Sequence, residues 1–233
     1  MSDDVFDIVG TTQDGAFQVK SVVAEGGFAV VYRAYHQNFR ADVALKCLKV
    51  PGALTKSKQE EFLEKFRAEG ELLFRLSAAI PAVVRPLHIG TLETRQSEFV
   101  PFIALEWLDG VTLDRFIEQR KHAGKPPLDM RRAVQLLAPA ARALEQAHKF
   151  AGPDGTVSIL HRDLKPENLF VANLHGRETI KILDFGIGKV KTAATQIVGH
   201  VSMDQSSFSA FTPAYGAPEQ WLPKRFGQTG QRE

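Results

Sequence analysis

The densest group of reactive side chains is His161-Arg162-Asp163-Leu164-Lys165-Pro166-Glu167-Asn168, where acids, cations and an amide share one short loop before the apolar run Leu169-Phe170-Val171. Sixteen residues after Asn168, Asp184-Phe185-Gly186 follows a second apolar run, Ile180 to Leu183. Phosphoryl transfer needs such a set: an acid to accept a proton from the attacking hydroxyl, a lysine near the transferred phosphate, and an amide and a second acid holding magnesium. Glu69 is charged where an apolar residue belongs, on the stripe that Phe62, Phe66, Leu73 and Leu76 make at helical spacing. A carboxylate on the core-facing side of a helix is costly unless a cation meets it, so the pattern itself requires a partner.

The elements that must hold these groups follow from periodicity. From Ala16 to Val50 the pattern is strand-like, with breaks at Glu25-Gly26-Gly27 and at Gln37 to Asp42 that suit antiparallel hairpins. Ser57 to Leu76 reads as a helix, and two more strand-like runs follow, Leu87 to Leu92 and Phe99 to Trp107. Asp109-Gly110 breaks the pattern, after which Thr112 to His122 and Asp129 to Phe150 read as helices. The order is a strand-rich half with one helix, a break near residue 109, and a helix-rich half. Lys191 to Ser209 is polar and reads as a long loop.

The stretches HRDLKPEN and Asp184-Phe185-Gly186 resemble the catalytic loop and metal-binding motif of eukaryotic-type protein kinases, and the eight-residue match is specific. The resemblance implies an α+β, two-lobed fold: an antiparallel-sheet lobe with one helix over 17–108, a mainly helical, incomplete lobe over 109–233, and an N-terminal extension at 1–16. It implies ATP and Mg2+ as cofactors, with Asp163 as base, Lys165 near the γ-phosphate, and Asn168 and Asp184 on the metal. Val43-Ala44-Leu45-Lys46 resembles the third-strand lysine motif, so Lys46 holds phosphates and pairs with the helical acid, the partner Glu69 requires. Taken alone, Lys46 would read as a surface lysine with its stem on apolar neighbours. The loop Val23-Ala24-Glu25-Gly26-Gly27-Phe28 would cover the phosphates. Val31, Ala44 and Phe170 would sandwich the adenine, with Leu105 behind it and backbone groups of Glu106 and Leu108 at its edge. His161 would pack below the catalytic loop. Phe211 to Glu219 is similar to the family segment ending in APE, in which Thr212 contacts the catalytic loop, and Lys165 with Thr212 favours Ser/Thr acceptors. Gln220 after that segment makes the chain look most like bacterial members.

Two features depart from the family pattern. The phosphate-covering loop is normally G-x-G-x-x-G, whereas Ala24 and Ala29 replace its outer glycines; alanine resists positive φ and holds the backbone further from phosphate. After Glu219 only Gln220 to Glu233 remain, where the family fold continues through several helices. A nucleotide-binding or interaction module without transfer activity is therefore the alternative expectation, with an exposed apolar surface where the missing helices would dock. A small-molecule kinase of related fold is disfavoured, because such enzymes lack the loop ending in APE.

Composition narrows the rest. Lys plus Arg number 29 against 27 Asp plus Glu, a net charge of +2 that disfavours nucleic acid and polybasic membrane binding. Hydrophobic residues at 44% and charged residues at 24% make an ordinary globular mixture. The single cysteine, Cys47, forms no intrachain disulfide, and no leader-like or membrane-spanning run appears, so a cytoplasmic protein is expected. Expected partners are protein substrates with Ser/Thr acceptors, and a second copy for autophosphorylation. Candidate activating sites are Thr192, Thr195, Ser202, Ser206, Ser207, Ser209 and Thr212, where Arg162 would give an added phosphate a cation to bind.

Overall fold

A computed structural model of the chain describes residues 4–50, 54–94, 99–152, 155–174, 176–185 and 212–218. These fall into two compact units, 4–74 with 85–107, and 75–84 with 108–185 and 212–218. Gly186, Thr192, Thr195, Ser202, Ser206, Ser207, Ser209, Phe211, Glu219 and Trp221 lie outside the described residues.

The first unit is a six-stranded antiparallel sheet of β1 (Thr12–Gln13), β2 (Phe17–Glu25), β3 (Ala29–His36), β4 (Ala41–Leu48), β5 (Pro86–Thr91) and β6 (Pro101–Glu106). Its strand order is β1-β2-β3-β4-β6-β5, with α1 (Lys56–Ala79) joining β4 to β5. Alternation sets the core: Val30, Tyr32, Ala34 and His36 of β3 are buried, and Val30, Tyr32 and Ala34 join Val43, Leu45, Cys47 and Phe102 in one cluster. Burial pushes the Cys47 thiol far above its usual range, so the residue is a packing group and not a nucleophile.

The segment set apart by sequence as an N-terminal extension is part of this core from Asp4 on. Phe6 and Ile8 are buried in the same cluster, and the hydroxyl of the fully buried Tyr32 donates to Asp4 Oδ1 at 2.9 Å. Gln13, also buried, exchanges hydrogen bonds with the Glu93 backbone, its Oε1 accepting at 2.8 Å. No apolar periodicity marks these residues, because they bind singly along the sheet.

On α1, Phe62, Phe66, Leu73 and Leu76 are buried as the spacing predicts, and Glu69 lies half-buried among them. Gly70 lies within the continuous helix for a packing reason. A Cβ there would lie 2.0 Å from Ile89 Cδ1, so the gap is where β5 presses against the helix beside Glu69.

The second unit contains β7 (Gly110–Thr112), α2 (Leu113–His122), α3 (Met130–His148), a hairpin of β8 (Phe150–Gly152) with β9 (Gly155–Val157), and a hairpin of β10 (Leu169–Leu174) with β11 (Arg177–Ile182). Asp129 caps α3 by accepting from Arg132 N at 2.8 Å, and the small buried stripe Ala140, Ala143 and Ala147 lets α3 pack against β11. Among the described residues no helix is long and apolar enough to cross a membrane.

The break at Asp109-Gly110 is also a strand start, since β7 pairs with β10 at Gly110–Ala172. Gly110 has φ +149°, and a Cβ on it would stand 2.1 Å from Val171 O. Gly110→Ala is expected to destabilise the protein by about 2–3 kcal/mol through this clash and the backbone strain, read as a lowered midpoint in thermal unfolding.

Candidate active site

The groups with the strongest chemical character in the second unit sit on loops flanking β10 and β11. Two non-glycine residues there take left-handed backbone conformations, Arg162 at φ +67° and Asp184 at φ +58°. Each costs about 1–2 kcal/mol and persists only where its surroundings over-determine it. His161 is one such constraint. Only 4% exposed, it stands edge-on to Phe185 with ring centroids 5.1 Å apart. Its Nδ1 faces Asp163 N–H at 3.4 Å and its Nε2 lies 2.8 Å from Leu183 O. A carbonyl only accepts, so Nε2 carries the proton, and the neutral ring ties the loop bearing Asp163 to the strand end bearing Asp184.

Asn168, 6% exposed, fastens the same loop from within. Its N–H donates to Lys165 O at 2.9 Å, its carbonyl accepts from Leu183 N at 2.8 Å, and its Nδ2 donates to Asp163 O at 2.7 Å. With Nδ2 directed into the loop, the side-chain oxygen Oδ1 is directed the other way.

Asp163 is oriented from its opposite side. Oδ1 accepts from both Thr212 N, at 2.9 Å, and Thr212 Oγ1, at 2.7 Å. The Thr212 hydroxyl in turn accepts from Lys165 Nζ at 2.7 Å, and Nζ lies 3.7 Å from Asp163 Oδ2. A carboxylate, an ammonium and a hydroxyl, 49 residues apart at their furthest, thus form one oriented cluster with Asn168 behind it.

The first unit supplies the other group of charged residues. Lys46, on β4 between Val31 of β3 and Ile103 of β6, is 7% exposed, a burial that an ammonium tolerates only with compensating charge or hydrogen bonds. Glu69 Oε2 is shielded from solvent on α1 of the same unit.

Within the segment Val23 to Phe28, Val23 to Glu25 end β2 and Gly26 to Phe28 make the turn to β3, closed by Gly26 N donating to Ala29 O at 2.9 Å. Neither Gly26 nor Gly27 has a positive φ, and an added Cβ would meet nothing at Gly27 and only Ala29 O, 3.7 Å away, at Gly26. Chain packing therefore does not require these glycines, and the turn presents bare backbone. Ala24 and Ala29 pair within the sheet, with Val31 and Leu48, so the expected conflict between alanine and positive φ does not arise. Glu25, whose charge would repel phosphate, is paired with Lys49 Nζ at 2.7 Å.

Leu105 is buried in β6 opposite Ala44, and Val31 and Ala44 are half-buried in the same sheet. Glu106 N donates to Arg85 O at 2.9 Å, so this N–H is already engaged within the sheet. Leu108 and Phe170 belong to the second unit, both half-buried. The backbone clamp by Arg85 carries no side-chain signal in the sequence.

The donor set fits magnesium in kind. Asn168 and Asp184 offer oxygen ligands, and magnesium takes one or two carboxylates together with substrate phosphates. No group of three or more His, Cys, Asp or Glu side chains that could hold a metal by itself occurs among the described residues.

The sequence model of the protein kinase domain matches residues 17–230. The chain is 29% identical over 206 residues to a probable serine/threonine-protein kinase, CPE1738, of Clostridium perfringens, covering 88% of this chain and 26% of that protein. It is 29% identical over 219 residues to serine/threonine-protein kinase pkn3 of Myxococcus xanthus, covering 93% and 35%. Identity to serine/threonine-protein kinase PknB of Mycolicibacterium smegmatis is 29% over 204 residues, covering 88% and 28%. The chain spans only about a quarter to a third of the length of these relatives.

Proposed function

The chain belongs to the protein kinase domain family, and we propose that it transfers the γ-phosphoryl group of ATP to serine and threonine hydroxyls of proteins. The observation that carries this reading is the cluster in which Thr212 and Lys165 orient Asp163. Asp163 takes the proton of the acceptor hydroxyl as its oxygen forms a bond to the γ-phosphorus, the bridging bond to the β-phosphate breaks, and ADP leaves. Lys165 meets the charge on the transferred group, and Lys46, positioned by Glu69, holds the other phosphates. Magnesium held by Asn168 and Asp184 would neutralise charge on the phosphate oxygens. In the first unit the segment Val23 to Phe28, with bare backbone at Gly26 and Gly27, covers the phosphates, and Val31, Ala44, Leu105 and Glu106 serve the adenine; Leu108 and Phe170 are the second unit's candidates for that ring.

Phosphorylation within 191–209, in one copy by another, is the proposed regulation, with Arg162 binding the added phosphate. Thr212 drops out of the candidate sites, because its hydroxyl is 2.7 Å from Asp163 Oδ1 and a phosphate there would stand against that carboxylate.

Acid hydrolysis of a protein substrate labelled from [γ-32P]ATP tests the reading: phosphoserine or phosphothreonine is expected, and label on tyrosine alone would contradict it. Thr212→Val removes the hydroxyl that joins Lys165 to Asp163 and is expected to lower kcat about tenfold, with Thr212→Ser restoring most of it, measured as initial transfer rates.

A further inference from the structure

Trp107, the residue after β6, is covered by the Arg33 guanidinium, which lies 4.7 Å from its ring centroid. Arg33 stands on β3 opposite Ala44 and is itself pinned: Nε donates to Asp42 Oδ2 at 3.0 Å, and Nη2 bonds the same oxygen. The other oxygen of Asp42 accepts from Lys20 Nζ at 2.8 Å, and Lys20 lies 4.7 Å from the Tyr35 ring centroid. The hydrogen bonds from Lys20 and then Arg33 hold the Asp42 carboxyl below its usual range, so the anchor stays charged near neutrality. The adjacent residue is tied independently, since Arg85 N donates to Glu106 Oε1 at 3.0 Å and Arg85 O accepts from Glu106 N at 2.9 Å.

We infer that Arg33 is a positioning residue for nucleotide binding, which by stacking on Trp107 holds the backbone of Glu106 to Leu108 ready to meet the adenine edge. The inference rests on the phosphoryl-transfer reading above. A recognition segment ordered before binding loses less conformational freedom when the ligand arrives, and that difference appears in affinity rather than in the chemical step. Arginine suits the position because its planar group can stack on an indole and bond a carboxylate at once. The side chain is 43% exposed, so truncating it leaves the core intact.

The test compares Arg33→Ala, Arg33→Lys and the unsubstituted protein for ATP KM, kcat and the Kd of a fluorescent ATP analogue. For Arg33→Ala, KM and Kd are expected to rise about threefold while kcat and the melting temperature change little, as suits loss of one cation–π stack. Arg33→Lys, which keeps the charge and loses the planar stack, should fall between the two. In a Trp107→Leu background, Arg33→Ala should add no further loss. An unchanged KM in Arg33→Ala, the same rise in both backgrounds, or a fall in kcat and melting temperature in place of the KM effect would each overturn the inference. If the unsubstituted protein binds no nucleotide, the nucleotide reading falls and this inference with it. Normal binding that Arg33→Ala does not weaken removes the inference alone.

Discussion

Asp163→Asn is expected to lower kcat for protein phosphorylation about a thousandfold, the scale of losing a positioned general base. The substitution is nearly isosteric. Oδ1 of the amide can still accept from Thr212 N, which donates to Asp163 at 2.9 Å, so the loop should keep its form and the melting temperature should change little. What disappears is the capacity to take a proton. Nucleotide affinity should remain within a few-fold, because Asp163 acts on the acceptor hydroxyl. A variant retaining more than about a tenth of the transfer rate would mean that proton acceptance at Asp163 is not part of the mechanism.

Lys46→Met is expected to cost about a hundredfold in kcat/KM for ATP, comparable to removing one group that stabilises transition-state charge. Methionine keeps the apolar stem of a residue that is 7% exposed in the sheet, so the loss reads the ammonium and not a cavity. If Glu69 serves to position that ammonium, Glu69→Gln in the Lys46→Met background should add almost nothing, whereas alone it should reduce the rate clearly. Full additivity of the two substitutions in initial-rate kinetics would separate Glu69 from the phosphate-binding role.

Legibility in the sequence followed the physics of each element. The twofold alternation of β3 and the helical spacing of Phe62, Phe66, Leu73 and Leu76 concern many residues facing one core, and the structure has those elements close to the predicted limits. β7 and β8 are three residues each, too short for any period to register. Gly110 therefore read as a break, though its φ of +149° and its approach to Val171 are what let β7 join the sheet. The N-terminal segment escaped notice because Asp4, Phe6, Ile8 and Gln13 act singly, through the Tyr32 hydroxyl, the core and the Glu93 backbone.

At the site, the residue types were readable and their fastenings were not. Asp163, Lys165, Asn168 and Asp184 were legible from motif spacing, and contact between Thr212 and the catalytic loop was an expectation of the family resemblance. The tautomer of His161 and the left-handed backbone of Arg162 and Asp184 depend on atoms brought together only by folding. The expected penalty at Ala24 and Ala29 came from a glycine pattern, and this turn forms without positive φ at any of its residues.

The most direct test of the central claim is to incubate the protein with a protein substrate and magnesium, beside its Asp163→Asn variant, using ATP labelled at the γ position in one reaction and at the α position in another. Phosphoryl transfer through Asp163 predicts label on serine or threonine from γ-labelled ATP alone, with little or none from the variant. Label arriving from the α position, or equal γ-label with both proteins, would contradict the account.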